Sequence, residues 1–258
     1  MAIAALEAVG VARSFGGLRA VSDVSFTVAV GSITALIGPN GAGKTTVFNL
    51  VTNLLAPDAG EIRFFDAPLA GLSPSRIARL GLLRTFQTAR VFPGMTALEN
   101  VLAGAHGRLA TPALAHMLWL KGARREEDDL TAQAEALLQL VGLASFRDAP
   151  ATALPLGAQK LVELCRALMA RPRLLLLDEP AAGLNDGETA ELAALLRALR
   201  EVGMTILVVE HNMSLVMEAA DQVLVLDLGA LIACGAPRDI QRDPRVIEAY
   251  LGPAGGGA

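Results

Sequence analysis

The stretch Gly38-Pro39-Asn40-Gly41-Ala42-Gly43-Lys44-Thr45-Thr46 has the residue types and the spacing of a phosphate-binding loop. A short β-prone run precedes it, and apolar residues recur at helical spacing after it. A strand, a turn and a helix N-terminus in this order bring backbone N–H groups and the positive end of a helix dipole to one point. In this pattern Lys44 reaches the β- and γ-phosphates, and the Thr45 hydroxyl ligates Mg²⁺. The sequence therefore predicts a nucleoside triphosphate site; the alternative is a glycine-rich turn that only happens to precede a lysine.

Polar residues also follow three other predicted strands: Gln87, the pair Asp178-Glu179 and the pair Glu210-His211. In an open parallel sheet, ligands bind beyond the carboxyl ends of the strands, and charges buried there without a role are costly. We therefore expect one cluster facing the γ-phosphate, with Asp178 in the Mg²⁺ shell, the next carboxylate polarising a water and His211 bridging to the phosphate. The residues alone leave open a solvated turn at 178–179, a capping histidine and a loop-capping glutamine.

The hydrophobic pattern places these residues in an α/β fold. Residues 3–36 predict short strands, at 3–11, at 24–30 and leading into the phosphate loop. Residues 93–150 carry helix signals, which include a capping box at Thr96 and Glu99. The second half alternates buried strands with amphipathic helices, as a parallel sheet requires, and one of these helices begins at a capping box of Asn185 and Glu188. We predict a P-loop NTPase core over 1–88 and 158–252 that has a mixed or parallel sheet and an N-terminal antiparallel β part. A helical subdomain is inserted at about 89–157, and 253–258 form a flexible tail.

The composition suits one domain with an inserted lobe. The chain has 258 residues, of which 53% are hydrophobic and 19% charged, enough for a buried core. The net charge of −4 gives no support for a nucleic-acid partner, which a basic face normally marks. The start lacks a signal-peptide pattern, and the longest uncharged run, 24–43, alternates as a strand does. We expect any membrane role to come through partner subunits.

Several of these stretches resemble the ATPase subunits of ABC transporters, in order and spacing. The resemblance covers residues 3–252, and it is carried by 38–46, Gln87, 154–159, 174–180, 182–185 and His211. One branch is the most similar, the high-affinity branched-chain amino-acid importers, which the chain resembles at 15–21, 84–87, 95–101, 179–185 and 249–252.

The resemblance implies an ABC ATPase that hydrolyses ATP with Mg²⁺. It implies that Glu179 is the general base and that His211 is the γ-phosphate switch. Gln87 would then join the nucleotide and its Mg²⁺ to the membrane subunit. Phe15, or its neighbour, would stack on the adenine ring, whereas position alone leaves a core role open for this aromatic side chain.

One stretch departs from the family pattern. The signature that usually reads L-S-G-G-Q is here Leu154-Pro155-Leu156-Gly157-Ala158, followed by Gln159. The serine and the glutamine of the usual pattern are missing, whereas Gly157 keeps the anion-facing amides and Gln159 is a candidate substitute. In this family two cassettes close head to tail, so that each ATP lies between one phosphate loop and the partner's signature. We therefore expect a heterodimer with a different cassette that carries an intact signature.

The resemblance also implies the partners and the place of work. These are membrane permease subunits, a second ABC ATPase subunit and, indirectly, a periplasmic binding protein, at the cytoplasmic face of the inner (plasma) membrane. The imported solute would be a branched-chain amino acid or a related small polar molecule. A soluble, non-transport ABC-type ATPase is the alternative, but such proteins usually carry two cassettes or long charged inserts. A P-loop small-molecule kinase would leave the signature-like stretch and His211 unexplained.

Overall fold

A computed structural model describes residues 3–85, 90–109 and 121–251, and the chain divides into two compact units. The first unit comprises Met1–Arg84 and Arg173–Ala258, and the second comprises Thr85–Pro172. The second boundary lies later than the predicted one at 157/158. The tail at 253–258 lies outside the described residues.

The first unit supplies all ten described strands. Its amino-terminal part contains β1 (Ala4–Phe15), β2 (Leu18–Ala29), β3 (Ile33–Ile37), α1 (Lys44–Val51), β4 (Ala59–Phe64), β5 (Ala67–Pro68), α2 (Pro74–Leu80) and β6 (Leu82–Arg84). The second unit follows with α3 (Ala97–Ala103), α4 (Lys121–Leu140) and α5 (Leu156–Met169), and with 3₁₀ turns at His106–Arg108, Ala144–Phe146 and Ala151–Ala153. The first unit then resumes with β7 (Leu174–Asp178), α6 (Asp186–Glu201), β8 (Thr205–Val209), α7 (Met213–Ala219), β9 (Gln222–Asp227), β10 (Ala230–Gly235), α8 (Pro237–Ile240) and α9 (Pro244–Leu251).

The amino-terminal strands form an antiparallel sheet in the order β2-β1-β4-β5. The predicted short strands at 3–11 and 24–30 are parts of two strands of twelve residues each, β1 and β2, which a turn at Gly16-Gly17 joins. The prediction was too short because polar residues around Arg13 interrupt the apolar pattern. Arg13 lies opposite Val21 in the pairing of β1 with β2, so the strand continues through it, and its side chain forms an ion pair with Asp58.

The second sheet has six strands in the order β10-β9-β3-β8-β7-β6. β3 lies between β8 and β9 and is parallel to both, β7 lies between β8 and β6 and is parallel to both, and only β10 runs antiparallel. Every residue of β3, β7 and β8 is buried, as expected for strands covered on both faces. The mixed sheet and the separate antiparallel part are confirmed, and the carboxyl ends of β3, β8, β7 and β6 share one edge.

The second unit has its own helical core. α3 starts at the predicted capping box, in which the Thr96 hydroxyl accepts from the Glu99 backbone N–H and the Glu99 carboxylate accepts from the Thr96 N–H. α5 packs into this core through Val162, Cys165 and Met169, which explains why the boundary falls after it. None of the helices that the structure describes is both long and apolar enough to cross a bilayer.

Candidate nucleotide-binding and active site

The phosphate loop passes between two backbone segments with no room for side chains. Gly38, directly after β3, has φ 150°, and a Cβ atom there would lie 2.1 Å from the backbone oxygen of Leu226. Gly43 has φ 100°, and its Cβ would lie 2.4 Å from the backbone oxygen of Ala20. Both contacts are with backbone, which cannot move aside as a side chain would. The two glycines therefore let the loop lie against β9 and β2.

Lys44 opens helix α1 with its ammonium group folded back over the loop. Its Nζ donates to the backbone oxygens of Gly38, at 2.7 Å, and Pro39, at 3.0 Å. Burial lowers the pKa of Lys44, and the charge of Glu179 acts in the opposite direction. No side chain caps the start of α1, so its first amides face outward beside an exposed Thr45. Amides, ammonium and hydroxyl together form a site for an anion.

Backbone hydrogen bonds join the ends of the three central strands. The Glu210 N–H, after β8, donates to the Leu36 oxygen of β3 at 3.3 Å, and the Glu179 N–H, after β7, donates to the Val209 oxygen at 2.9 Å. Glu179 has φ 47°, which is uncommon for a residue with a side chain and turns the chain sharply after the strand. The sheet therefore brings the phosphate loop and the polar residues after β7 and β8 to one edge.

Glu179 and His211 meet at this edge. The Glu179 Oε1 lies 3.9 Å from the His211 Nδ1, and their side chains are 23% and 57% exposed. The cap of α7 is Asn212, whose side chain accepts from the Leu215 N–H, so His211 is not a capping residue. Asp178 is only 7% exposed and is not part of a solvated turn. The structure therefore places the Glu179 and His211 side chains close together, whereas the Asp178 carboxylate forms an ion pair with Arg84, and the predicted cluster at the γ-phosphate stays a prediction.

Glu210 is a residue of this site to which the sequence reasoning gave no role. Its side chain is fully buried, and its Oε1 accepts from the Ala181 N–H at 2.7 Å. Its Oε2 accepts from the N–H groups of His211 and Asn212, both at 3.0 Å. One carboxylate therefore holds the segment after Glu179 and the segment that carries His211. The available signal was a glutamate directly after five buried strand residues, a position where charge needs partners.

Arg84 is the second residue that was missed. It ends β6, and its guanidinium donates to Oδ2 of Asp178 at 2.5 Å. The sequence prediction ran this strand on to Gln87, whereas β6 ends at Arg84. Gln87 itself lies outside the described residues, so its predicted roles stay predictions.

Phe15 lies at the end of β1 and is 44% exposed, so it is not a core residue. The Arg13 guanidinium carbon lies 5.1 Å from the centre of its ring. The hairpin that carries Phe15 continues to Ala20, whose backbone oxygen is the close neighbour of Gly43. An exposed ring on this hairpin is consistent with stacking on a base.

The signature-like stretch lies in the second unit, at the start of α5. Pro155 occupies the cap position without a side-chain hydrogen bond, and Leu156 is the first helical residue. The Gln159 side chain donates to the backbone oxygen of Leu154 at 2.8 Å. The missing serine therefore leaves the amides of Gly157 and Ala158 without a side-chain cap. The Gln159 side chain instead binds the backbone of its own loop, at Leu154.

Comparisons with known proteins agree with this geometry. The family described as ABC transporter matches residues 21–182. The chain belongs to the ABC transporter family. Its activity is therefore that of an ABC transporter ATPase, and it is part of a membrane-associated transporter complex. A second family, described as branched-chain amino acid ATP-binding cassette transporter, matches residues 230–252.

Two relatives match almost the whole cassette. The high-affinity branched-chain amino acid transport ATP-binding protein BraF of Pseudomonas aeruginosa is 45% identical over 250 residues, 96% of this chain and 98% of BraF. The corresponding LivG protein of Escherichia coli is 42% identical over 246 residues, 95% of this chain and 96% of LivG. Among solved structures, the ADP conformation of an ATP-binding cassette of an ABC transporter is 33% identical with a TM-score of 0.83. That match covers 98% of this chain and 100% of the other.

Proposed function

We propose that the chain powers the import of a branched-chain amino acid, or of a related small polar solute, through partner permease subunits. The observation that carries the substrate class is the match of residues 230–252 to the branched-chain amino acid cassettes, which lies outside the general ATPase motifs. The relatives at 42% and 45% identity carry that transport in their names. In this proposal the chain works at the cytoplasmic face of the inner membrane, and a periplasmic binding protein delivers the solute to the permeases.

The nucleotide is ATP with Mg²⁺, held by the phosphate loop. The loop amides and Lys44 would hold the phosphates. Thr45, Asp178 and Gln87 would coordinate Mg²⁺ or its bound waters. The donor chemistry fits Mg²⁺, which prefers oxygen ligands, keeps several waters and relies on one or two carboxylates plus substrate phosphates. Among the described residues, no group of three or more acidic, histidine or cysteine side chains is placed to hold a metal ion. When bound, Mg²⁺ neutralises charge on the phosphate oxygens.

The exposure of the carboxylates at this edge supports Glu179 as the general base. Glu210 is fully buried and Asp178 is 7% exposed, whereas Glu179 is 23% exposed. Only a carboxylate that solvent reaches can take a proton from the water that attacks the γ-phosphorus. In this proposal Glu179 polarises that water. His211, whose Nδ1 lies 3.9 Å from Oε1 of Glu179, contacts the γ-phosphate. Phe15 stacks on the adenine.

The test is the substitution Glu179→Gln in the complex assembled with the permease subunits and the binding protein. ATP binding should remain, and turnover should fall by about 10²–10⁴, the range of a general base. Glu191→Gln, on the exposed face of α6, is the matched control and should leave turnover unchanged. Turnover of Glu179→Gln within about threefold of wild type would refute the assignment. Uptake of labelled leucine would support a branched-chain amino acid as the substrate. Uptake of another small solute without uptake of leucine would support a different substrate class.

We further propose that the second cassette of the complex is a different chain. The phosphate loop, Asp178, Glu179 and His211 are all present here, whereas Pro155 stands where the usual signature has serine. Each lost charge-assisted hydrogen bond to phosphate costs about 1.5–3 kcal/mol, roughly ten- to a hundredfold in rate if it acts in the transition state. A homodimer carries that loss at both sites, and a heterodimer carries it at one.

The test of the heterodimer blocks each phosphate loop separately. Lys44→Ala in this chain should reduce the ATPase of the complex more than the equivalent change in the partner. The reason is that the fast site combines this chain's loop with the partner's signature. Equal losses from the two changes, or full activity of this chain as a homodimer, would exclude the asymmetry.

A further inference from the structure

Arg84 binds two elements of the nucleotide site with one guanidinium group. Its Nη2 donates to Oδ2 of Asp178 at 2.5 Å, and its Nη1 donates to Oδ1 of Asn49 at 2.7 Å. Its guanidinium carbon lies 5.4 Å from the centre of the Phe48 ring. The Arg84 and Asp178 side chains are 12% and 7% exposed, so water screens this ion pair little. Arg84 thus connects β6 with both β7 and α1.

The sheet register explains how Arg84 reaches the carboxylate. Arg84 lies opposite Leu176 in the parallel pairing of β6 with β7. Leu176 and Asp178 are two residues apart in one strand, so their side chains leave the same face of the sheet. A residue with a long side chain at the end of β6 is therefore placed beside Asp178. The planar fork of arginine can bind Asp178 and Asn49 at once, which the single ammonium of lysine does not do in a fixed geometry.

The position of Asn49 makes this contact more than an ion pair. Thr45 and Asn49 are four residues apart in α1, so they share one face of that helix. Arg84 therefore ties the helix face that carries the Thr45 hydroxyl to the carboxylate of Asp178. These are two of the side chains that the proposed function assigns to Mg²⁺. A carboxylate has two oxygens, so Arg84 on Oδ2 leaves Oδ1 available to coordinate the metal or to accept a hydrogen bond from its water.

We propose that Arg84 is a positioning residue for the Mg²⁺ site: it fixes the rotation of the Asp178 carboxylate and its placement relative to Thr45. This role rests on the proposed Mg²⁺ site at Thr45 and Asp178. The competing interpretation is a buried ion pair that serves folding alone. The two differ in one measurable respect. A positioning residue affects nucleotide binding only when Mg²⁺ is present, whereas a folding role affects it equally with and without the metal.

The experiment measures the affinity of the purified chain for a fluorescent ATP analogue in Mg²⁺ and in EDTA. Arg84→Met should weaken binding in Mg²⁺ by about tenfold or more, the loss expected for a charge-assisted hydrogen bond, and leave binding in EDTA within about threefold. Arg84→Lys should recover part of the loss. Asn49→Ala, which keeps the ion pair but removes the second arm, should show a smaller loss in the same direction. Arg79→Met, an exposed arginine of α2, is the control and should change neither value.

Four results would overturn this role. Equal losses in Mg²⁺ and in EDTA would show a folding effect, and an unchanged Mg²⁺ affinity in Arg84→Met would show no role. If Arg84→Met does not fold, Arg84→Lys and Asn49→Ala decide, and wild-type Mg²⁺ affinity in both would refute the positioning role. If the wild-type chain binds equally with and without Mg²⁺, the proposed metal site itself fails, and the role of Arg84 fails with it. That result is separate from a failure of Arg84 alone.

Discussion

Replacing Glu210 should disturb two segments at once, the one after Glu179 and the one that carries His211, because the buried Glu210 carboxylate binds both. In Glu210→Ala the backbone N–H groups of Ala181, His211 and Asn212 all lose their acceptor. The side chain is fully buried, so water does not replace the carboxylate without rearrangement. We expect the chain to lose stability and the His211 segment to lose its fixed position.

The size of the effect follows from the three hydrogen bonds. A buried donor left without a partner costs about 1–3 kcal/mol, so three of them set an upper range of about 3–9 kcal/mol. The variant also removes the cost of burying the charge, which brings the net loss toward the lower end. We therefore expect Glu210→Ala to lower the free energy of unfolding by about 3 kcal/mol or more. Glu210→Gln keeps the shape but turns one acceptor into a donor that faces a backbone N–H, and should lose about 1–3 kcal/mol.

The assay is urea unfolding of the purified chain, together with ATPase measurements on the assembled complex. The matched control is Glu218→Gln, whose carboxylate makes a surface ion pair with Arg197. Exposed pairs contribute about 0–1 kcal/mol, so the control should unfold nearly as wild type does. Glu210→Gln should also lower kcat more than it weakens ATP binding, since it displaces His211 and not the phosphate loop. Wild-type stability of Glu210→Gln, or a loss no larger than that of Glu218→Gln, would refute this account of the buried carboxylate.

Three further predictions concern other parts of the chain. Phe15→Ala should weaken ATP binding by about two- to tenfold, the value of one aromatic contact, whereas Phe15→Trp should bind ATP as wild type does. If nucleotide titrations give Phe15→Ala the wild-type affinity, Phe15 does not stack on the adenine. Phe92 is exposed on the helical unit. Phe92→Asp should uncouple ATPase activity from transport in the assembled complex, while the purified chain still binds ATP. Phe146 is exposed on the same unit, and Phe146→Asp is the control. Burial raises the pKa of the Cys165 thiol to about 12, so at pH 8 it is almost entirely protonated, and a thiol reagent should modify only the exposed Cys234 until denaturant is added. Modification of both thiols in the native chain would contradict the burial of Cys165.

Local signals predicted much of the fold. The predicted capping boxes at Thr96 and Asn185 are both present, and the second starts α6 through reciprocal hydrogen bonds between Asn185 and Glu188. Such caps depend on residues three apart, so the sequence contains all the partners. The buried strands β7 and β8 were equally clear from their continuous apolar runs. The phosphate loop was predicted because its glycines, its lysine and its flanks are contiguous.

Partners distant in the chain were not predictable in the same way. Arg84 and Asp178 are 94 residues apart, and Glu210 and Ala181 are 29 apart. No periodicity connects such pairs, so the sequence showed each polar residue at a strand end without showing which neighbour it would meet. The boundary after α5 was missed for a related reason. The apolar face of that helix is visible in the sequence, but the core against which it packs is not.

The lateral order of the strands supplies this missing information. Because β3 lies beside β8, the end of the phosphate-loop strand faces the Glu210 segment directly, through the bond from the Glu210 N–H to Leu36. β7 lies one strand further out, so Glu179 reaches the same edge through Val209, and β6 lies beyond it, which gives Arg84 access to Asp178. Asp178 takes its partner from the neighbouring strand β6, whereas Glu210 binds one amide after the neighbouring strand β7 and two amides of its own segment. Asp178 gains a guanidinium group and Glu210 gains backbone amides, whereas Glu179 stays partly exposed to solvent, as its proposed role as general base requires. The same three acids in another strand order would have the same sequence signals and a different division of roles.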